Sequence, residues 1–253
     1  MPVLKGKDLV KIYGGKSNST RALDGMNITV QKGEFVGVMG PSGSGKTTLL
    51  NLLGGLDKPT SGQVRINSEL IHKMDKNKLA KFRRKNIGFI FQDFNLLDSL
   101  TIKENIMLPL ILDDRLSPNK METRAESIMG YLGIKDIADK YPYNVSGGQQ
   151  QRSVAARALI NNPAVVLADE PTGNLDSKSS RKVMENLQQL NINQDSTILT
   201  VTHDPLAASY TERIIFIKDG SVYMELVKKG KREQFFDRIM NCLAVLEGDK
   251  SDL

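Results

Sequence analysis

The chain has little of several residue types on which whole classes of protein depend. Its 253 residues include one cysteine, Cys242, so no disulfide can form within the chain, and a reducing compartment such as the cytosol is expected. It contains two histidines, His72 and His203. Two are too few for a histidine-based metal site without help from carboxylates.

Long hydrophobic runs are also missing. A membrane-spanning helix needs about 20 consecutive apolar residues. The longest apolar stretch, residues 106–112, is far shorter and contains Pro109. The chain starts with MPVLKGKDLV, which lacks the apolar core of a signal peptide. If the protein moves a substrate across a membrane, we therefore expect a second chain to supply the pore.

The surplus of positive charge is modest. There are 35 Lys and Arg residues against 29 Asp and Glu, a formal net charge of +6. Most basic residues are interleaved with acidic ones, and the two short basic runs, 81–85 and 228–232, are typical of solvated faces. We therefore expect no nucleic-acid partner.

Short apolar or alternating segments, bounded by Gly and Asp, predict β-strands that alternate with helices. Such alternation is typical of an α/β fold. A helical pattern over 93–143, with Pro109 and Pro118 as breaks, predicts an insertion into that core, and Asp219-Gly220 predicts a β-hairpin. The predicted strands cover residues 3–10, 26–30, 35–39, 62–66, 86–91, 164–168, 197–201, 213–218 and 222–226.

The end of the chain shows helical spacing of apolar residues. These residues are Phe235, Phe236, Ile239, Met240, Leu243 and Leu246. The pattern predicts an amphipathic helix, and packing on its own domain is favoured over a partner-binding role. We predict a domain over 1–227, containing the helical insertion 93–145, followed by a helical extension over 228–253.

A glycine-rich segment follows the predicted strand 35–39 and opens a helix. It reads Gly40, Pro41, Ser42, Gly43, Ser44, Gly45, Lys46, Thr47, which fits the P-loop pattern G-x-x-x-x-G-K-[ST], and Thr48 follows it. Backbone N–H groups of such a loop and the N-terminus of its helix bind phosphate oxygens. Lys46 is expected to reach the β- and γ-phosphates, and Thr47 to offer its hydroxyl to Mg²⁺. The segment predicts a nucleoside triphosphate site.

A buried strand ending in two carboxylates supplies a second motif. Residues 164–168 are apolar, and Asp169 and Glu170 follow them. Adjacent residues of a strand point to opposite faces, so the two carboxylates are expected to have different roles. We expect Asp169 on the Mg²⁺ side, acting through a coordinated water, and Glu170 as the general base for the attacking water.

A third motif, residues 145–152 (VSGGQQQR), combines a serine, two glycines and a helix start at Gln149. It resembles the signature sequence of ATP-binding cassette (ABC) proteins, with Val145 in place of the usual leucine. The resemblance covers residues 3 to about 227. It implies a P-loop NTPase (RecA-like) α/β core with an N-terminal antiparallel β subdomain and an inserted α-helical subdomain. It also implies an ATPase that binds ATP and Mg²⁺.

The same resemblance implies a head-to-tail homodimer interface, in which the signature of one copy covers the ATP held by the P-loop of the other. It further implies a separate membrane permease, at the cytoplasmic face of which the ATPase is peripheral. The implied site residues, beyond the P-loop, include Tyr13 on adenine, Gln92 near Mg²⁺ and the attacking water, Ser146, Gly147, Gly148 and Gln149 on phosphate, Asp176 in the D-loop and His203 on the γ-phosphate.

Several stretches indicate a branch of the family. Residues 91–97, 168–177 and 201–204 look like the branch of macrolide and lipoprotein-release transporters. Residues 103–110, 203–210 and the tail around Phe235 look most like the bacitracin-type peptide-antibiotic resistance transporters. This resemblance implies export of antimicrobial peptides or their removal from the membrane. A lipoprotein-release or cell-division ATPase stays an alternative.

Two other classes are less favoured by the pattern. Soluble ABC ATPases that act on DNA or ribosomes resemble chains with a long coiled-coil insertion or two tandem cassettes, and the sequence shows neither. An importer ATPase often carries a regulatory domain, for which the stretch beyond Leu226 is short. For a transport ATPase, we expect the permease to dock on 92–112, with Phe94 and Leu97 partly exposed in the docking pocket.

Overall fold

The computed structural model describes residues 2–15, 18–113 and 116–248. The last residues of the predicted extension, 249–253, lie outside the described part. In chain order the strands are β1 Pro2–Gly15, β2 Asn18–Gln31, β3 Phe35–Met39, β4 Ser61–Ile66, β5 Glu69–Leu70, β6 Ile87–Ile90, β7 Val165–Asp169, β8 Ile198–Val201, β9 Arg213–Lys218 and β10 Ser221–Val227.

The α-helices number eight in the described ranges. They are α1 Lys46–Leu53, α2 Lys76–Asn86, α3 Ile102–Ile111, α4 Pro118–Tyr131, α5 Gly147–Leu159, α6 Ser177–Gln194, α7 Pro205–Ala208 and α8 Arg232–Gly248. No helix of the described part is long and apolar enough to cross a membrane.

Two sheets organise the molecule. The larger has the strand order β10-β9-β3-β8-β7-β6, with β10 antiparallel to β9 and the other neighbours parallel. The smaller is antiparallel, with the order β2-β1-β4-β5. Parallel strands end at one edge of a sheet, so the loops after β3, β7 and β8 meet there, where open α/β sheets bind their ligands.

The larger sheet is buried on both faces, which explains its continuous apolar strands. Along β3, Phe35 packs into the cluster shared with α3, α4, α5 and α6. Val36 and Val38 pack into the opposite cluster, shared with α1 and the smaller sheet, and Met39 contacts the cluster beneath α8. The two subdomains are therefore joined by one sheet.

The predicted α/β core, the antiparallel β subdomain and the helical insertion are confirmed. The hairpin at Asp219-Gly220 is also confirmed, since both residues have positive φ angles (48° and 77°). The amphipathic helix near the C-terminus is α8, and its buried residues Phe235, Ile239 and Leu246 pack on Phe216 and other residues of its own domain, as predicted. The proposed division at residue 227 stays a prediction.

Several predicted strand boundaries were wrong, and one helix was missed. β1 extends to Gly15, five residues beyond the predicted end at Val10, and β2 begins at Asn18 rather than Met26, because the two strands pair along their whole length. The strand β6 is one residue shorter at each end than the predicted 86–91, and Asn86 ends α2. The helix α2 itself was not predicted, because it buries Leu79 and otherwise shows almost no apolar stripe.

Candidate active site

The P-loop connects β3 to α1 at the carboxyl edge of the larger sheet. Gly43 and Gly45 have φ angles of 78° and 98°, in the region that side chains rarely adopt. A Cβ atom on Gly45 would lie 2.4 Å from the carbonyl oxygen of Ala22, and one on Gly40 would lie 2.1 Å from that of Ile217. The loop is held closely against β2 and β9, and glycine is required at both positions.

The side chain of Lys46 folds back over this loop. Its Nζ donates hydrogen bonds to the carbonyl oxygens of Gly40 and Pro41, both at 2.8 Å. Burial lowers the pKa of Lys46, and the nearby charges of Glu170 and Asp169 oppose that shift. The ammonium group therefore lies between the P-loop and the carboxylates that follow β7. Of its neighbours, Ser44 is buried, Thr48 is half-buried, and Ser42 and Thr47 are exposed.

Asp169 ends β7 and points toward α1. Burial raises the pKa of Asp169, the charge of Glu170 adds to the shift, and Lys46 and a hydrogen bond with the Thr47 side chain oppose it. Its Oδ1 is buried and has no hydrogen-bond partner among the described residues. A buried carboxylate oxygen without a partner is costly unless a further group binds there.

Glu170 diverges from Asp169 and contacts His203. Its φ angle of 46° is unusual for a residue other than glycine, and such angles cluster at functional sites. Its N–H donates to the Val201 carbonyl at 2.9 Å. Its Oε1 lies 2.9 Å from Nδ1 of His203, and the N–H of His203 donates to its Oε2 at 3.3 Å. The carboxylate thus joins the ends of β7 and β8.

Gln92 follows β6 and lies against the segment that leads into α6. Its Nε2 is 3.4 Å from Oδ1 of Asn174. In return, Nδ2 of Asn174 donates to the Gln92 carbonyl at 3.2 Å and to Oδ1 of Asp93 at 3.3 Å. Asn174 lies two residues before Asp176 of the predicted D-loop, and no sequence pattern indicates this contact. The segment after Glu170 is therefore tied to the end of β6.

Ser146 begins α5, and its side chain caps the helix. Its Oγ accepts from the Gln149 N–H at 3.3 Å, and its own N–H donates to Oε1 of Gln149 at 2.9 Å, a reciprocal capping box. A Cβ on Gly148 would lie 2.9 Å from Oγ of Ser179 on α6, whereas Gly147 is less tightly enclosed. Ser146 is exposed, so the N-terminus of α5 is open to a phosphate.

The two phosphate-type helix starts lie in different parts of the fold. α1 packs against β1, β2, β7 and β8, whereas α5 packs against α3, α4, α6 and β6. Serine and glycine flank the N-terminus of each helix, yet the two helices pack against different elements. The P-loop and Ser146 of one chain are thus not parts of one local cradle.

Two further predicted residues lie outside this centre. Tyr13 is 41% exposed on β1, and its hydroxyl donates to Oδ2 of Asp57 at 2.9 Å, with the Lys11 ammonium 4.7 Å from the ring centroid. The ring is therefore anchored but accessible. Asp176 is the N-cap of α6, where it accepts from the N–H groups of Lys178 and Ser179 at 2.9 and 3.0 Å.

Comparison with known proteins assigns this arrangement to a family. A family model described as "ABC transporter" matches residues 23–173. The chain is 53% identical over 251 residues to the uncharacterized ABC transporter ATP-binding protein YvcR of Bacillus subtilis, covering 98% of this chain and 96% of that protein. It is 48% identical over 253 residues to the bacitracin export ATP-binding protein BceA of Halalkalibacterium halodurans, covering 100% of both.

A solved structure gives the same result. The ATP-binding cassette MJ0796, described as a dimer in a post-hydrolysis state with ADP and Pi, matches with a TM-score of 0.82 and 44% identity, covering 90% of this chain and 100% of that one. The predicted ABC resemblance is therefore confirmed. The chain belongs to the ABC transporter family, as an ATP-binding subunit with the cassette fold and ATPase activity.

Proposed function

We propose that this ATPase drives a separate membrane permease that removes antimicrobial peptides, working as a homodimer at the cytoplasmic face of the membrane. An apolar groove beside the candidate catalytic residues is the observation that supports a permease partner. The chain is 48% identical to a bacitracin export ATP-binding protein over the whole length of both, the C-terminal tail included. This similarity supports the substrate class.

The residues at the carboxyl edge of the sheet have distinct proposed roles in hydrolysis. The P-loop N–H groups and Lys46 bind the phosphates, which release Lys46 from its two carbonyl partners. Glu170 accepts a proton from the attacking water, and His203, held by its contact with Glu170, orients toward the γ-phosphate. Tyr13 offers its accessible ring face to adenine.

The residues present fit a Mg²⁺ ion. Asp169 has a buried oxygen without a partner and a hydrogen bond from the Thr47 side chain, and carboxylate and hydroxyl oxygens suit this hard cation. Asp169, Thr47 and Gln92 would hold it. When bound, Mg²⁺ neutralises charge on the β- and γ-phosphates.

Two copies of the chain are proposed to complete each site. One chain presents two phosphate-type helix starts that pack against different elements, and the similar cassette MJ0796 is a dimer with ADP and Pi. In a two-fold dimer each surface pairs with its own copy. The α5 N-terminus of each chain, capped by Ser146, can therefore cover the P-loop of the other chain, which completes two sites. Gly147, Gly148 and Gln149 would approach the γ-phosphate with Ser146, and Asp176 would lie at the same interface.

The groove runs between α2, β6, α3 and α5 and has a volume of about 380 Å³. Its apolar lining includes Leu56, Phe89, Phe91, Leu108, Pro109 and Leu112. Phe91, which lines the groove, directly precedes Gln92 and so links the groove to the candidate catalytic centre along the chain. A surface whose shape follows the state of that centre lets a bound partner respond to ATP. We therefore place the permease in this groove.

The proposed groove differs from the docking pocket expected from the sequence, which no observation tests. Phe94 and Leu97 are partly exposed, as predicted, with Leu97 at 47%. However, neither lines the groove, because Phe94 packs against the helical core. The groove instead draws on Leu56 and Phe89, which lie outside the predicted segment 92–112.

Replacing Leu56 and Leu112 by Asp is expected to abolish co-purification with the permease and the peptide resistance that the pair confers. The two side chains are 44% and 55% exposed, so the fold should tolerate the change, while truncating an interface anchor commonly costs more than about 1–2 kcal/mol. ATP binding by the isolated subunit should stay near normal. Pull-down from membranes and growth in bacitracin-type peptides measure the two effects.

The control replaces Ile192 and Val245 by Asp. These residues are 66% and 60% exposed and lie outside the groove, so co-purification and resistance should be retained. If the Leu56 and Leu112 double variant still co-purifies, the docking site lies elsewhere. If the unsubstituted subunit docks with its permease but the pair does not protect against peptides, the proposed substrate class is wrong.

Asn174→Ala is expected to lower ATP turnover by about tenfold. The change removes the three hydrogen bonds that tie the D-loop to Gln92 and Asp93, each worth about 0.5–1.5 kcal/mol. Asn193→Ala is the control, because Asn193 also bonds two side chains, Tyr131 and Gln189, on the same chain but away from this centre. Steady-state hydrolysis and nucleotide affinity would be measured together. Unchanged turnover in Asn174→Ala would show that the contact has no part in catalysis.

A further inference from the structure

The helix α2 has an unusual charge pattern. Its 11 residues, KNKLAKFRRKN, contain six Lys or Arg and no acidic residue. Leu79 is its buried residue, and all four lysines, Lys76, Lys78, Lys81 and Lys85, are exposed. None of these lysines has a role in the proposed hydrolysis.

Three of the lysines form one stripe. Lys78, Lys81 and Lys85 are spaced by three and four residues, so they follow one another on a single helical face. With Arg84 they line a concavity of about 830 Å³ that also contains the apolar side chains of Met74, Phe82 and Leu112. Long lysine stems can lie along such apolar surface while the ammonium groups stay in water.

Acidic residues near the stripe compensate only part of its charge. Glu69 and Asp113 line the same concavity, against the four cations Lys78, Lys81, Arg84 and Lys85. Outside its lining, Oδ2 of Asp75 lies 3.7 Å from Nζ of Lys78, in an exposed pair of little strength. The concavity therefore keeps an excess of positive charge.

The arginines and the lysines of α2 are used differently. Arg83 donates to the carbonyl oxygen of Gly55 at 2.7 Å, and Arg84 donates to that of Leu112, so both guanidinium groups are held by backbone. The exposed cations are thus lysines, which are point charges on flexible stems. Such charges suit a diffuse anionic surface better than the bidentate recognition of single carboxylates in a protein partner.

The position of the stripe suggests where such a surface is met. The basic concavity shares Arg84 and Leu112 with the apolar groove in which we placed the permease. Because the two concavities adjoin, a permease seated in the groove would place α2 on the side of the subunit that faces the bilayer. We propose that the Lys78–Lys81–Lys85 face binds anionic phospholipid headgroups at the inner membrane surface, an inference that rests on the proposed permease docking.

The electrostatic attraction between lysine and an anionic bilayer determines how strong the binding is and how it depends on salt. Each Lys or Arg close to an anionic bilayer contributes about a fivefold increase in partitioning. The attraction falls off within the Debye length, about 10 Å at 0.1 M salt. Binding of the isolated subunit should therefore be weak, reversible and sensitive to salt.

The test uses the full chain and sedimentation with vesicles of phosphatidylglycerol mixed with phosphatidylcholine, and with vesicles of phosphatidylcholine alone. The variant Lys78→Glu/Lys81→Glu/Lys85→Glu is expected to lose at least about tenfold in partitioning to the anionic vesicles. The control variant Lys228→Glu/Lys229→Glu/Lys231→Glu alters the other basic run, which follows β10 at the opposite edge of the larger sheet. Each replaces three positive by three negative charges, so the formal net charge falls from +6 by six to zero in both.

Each outcome decides the inference. A loss confined to the α2 variant and to anionic vesicles, abolished by high salt, supports it. Equal losses in both variants would mean that only net charge matters, and unchanged binding of the α2 variant would overturn the site. A variant that binds vesicles normally but loses the permease would show that the face recognises an acidic segment of that partner instead.

Two further measurements keep the outcomes separate. The neutral variant Lys78→Gln/Lys81→Gln/Lys85→Gln should show a smaller loss in the same direction, and it covers the case in which charge reversal unfolds α2. Co-purification with the permease in detergent, without added lipid, should be retained by the α2 variants. A failure of the proposed docking is therefore seen with the Leu56 and Leu112 variant, and a failure of lipid binding is seen with vesicles.

Discussion

Replacing Glu170 by Gln is expected to lower ATP turnover by at least about 100-fold, the scale of a lost general base, while ATP still binds. The glutamine has almost the same shape, and Glu170 already adopts a φ angle of 46°, so the backbone should be unchanged. The amide can still contact His203, but it cannot accept the proton of the attacking water. The ATP-bound dimer should therefore accumulate, with two ATP molecules between the subunits.

Turnover and gel filtration in ATP measure this result. Lys46→Ala is the comparison variant, because it should weaken nucleotide binding itself and leave no ATP-bound dimer. Normal hydrolysis by Glu170→Gln would show that Glu170 is not the general base. His203 and Gln92 would then be the next candidates to activate the water.

Ser146→Arg is also expected to lower turnover by at least about 100-fold, although Ser146 caps a helix that packs against other elements than the P-loop helix α1 does. The arginine places a bulky side chain at the helix start that is proposed to receive the γ-phosphate of the other subunit. Binding of ATP to the isolated chain should be unchanged, since α5 does not belong to the local P-loop cradle.

Loss of the helix cap has to be separated from loss of the site. Removing the Ser146–Gln149 capping box costs about 1 kcal/mol of folding stability, which thermal unfolding would detect. Thr101→Arg, which removes the Thr101–Glu104 capping box at the start of α3, is the matched control and should hydrolyse ATP normally. Hydrolysis by Ser146→Arg at the rate of the control would mean that the signature does not approach ATP.

Much of the candidate site could be predicted from the sequence, because phosphate binding depends on local geometry. The P-loop required glycines after a strand and before a helix, and the structure shows all three at positive φ. Asp169 and Glu170 were expected to diverge because strand residues alternate, and their side chains point to Thr47 and to His203. Motifs of this kind are contained within a few consecutive residues.

Features that depend on tertiary contacts could not be predicted in the same way. Asn174 contacts Gln92 across 82 positions of sequence, and no local pattern marks such a pair. The apolar groove was not foreseen, because Leu56 and Phe89 enter it from segments that have no helical pattern in common with α3. The helix α2 lacks an apolar stripe, since most of its surface faces solvent.

The central claim, that each ATP site is built from two copies of the chain, is tested most directly by mixing two inactive variants. A mixed dimer of Lys46→Ala and Ser146→Arg chains has one site with both lesions and one site with neither. We expect each variant alone to be nearly inactive, mixing to restore hydrolysis, and activity to be greatest near equal amounts of the two chains. No recovery, in a mixture where differently tagged chains are shown to form mixed dimers in ATP, would contradict it.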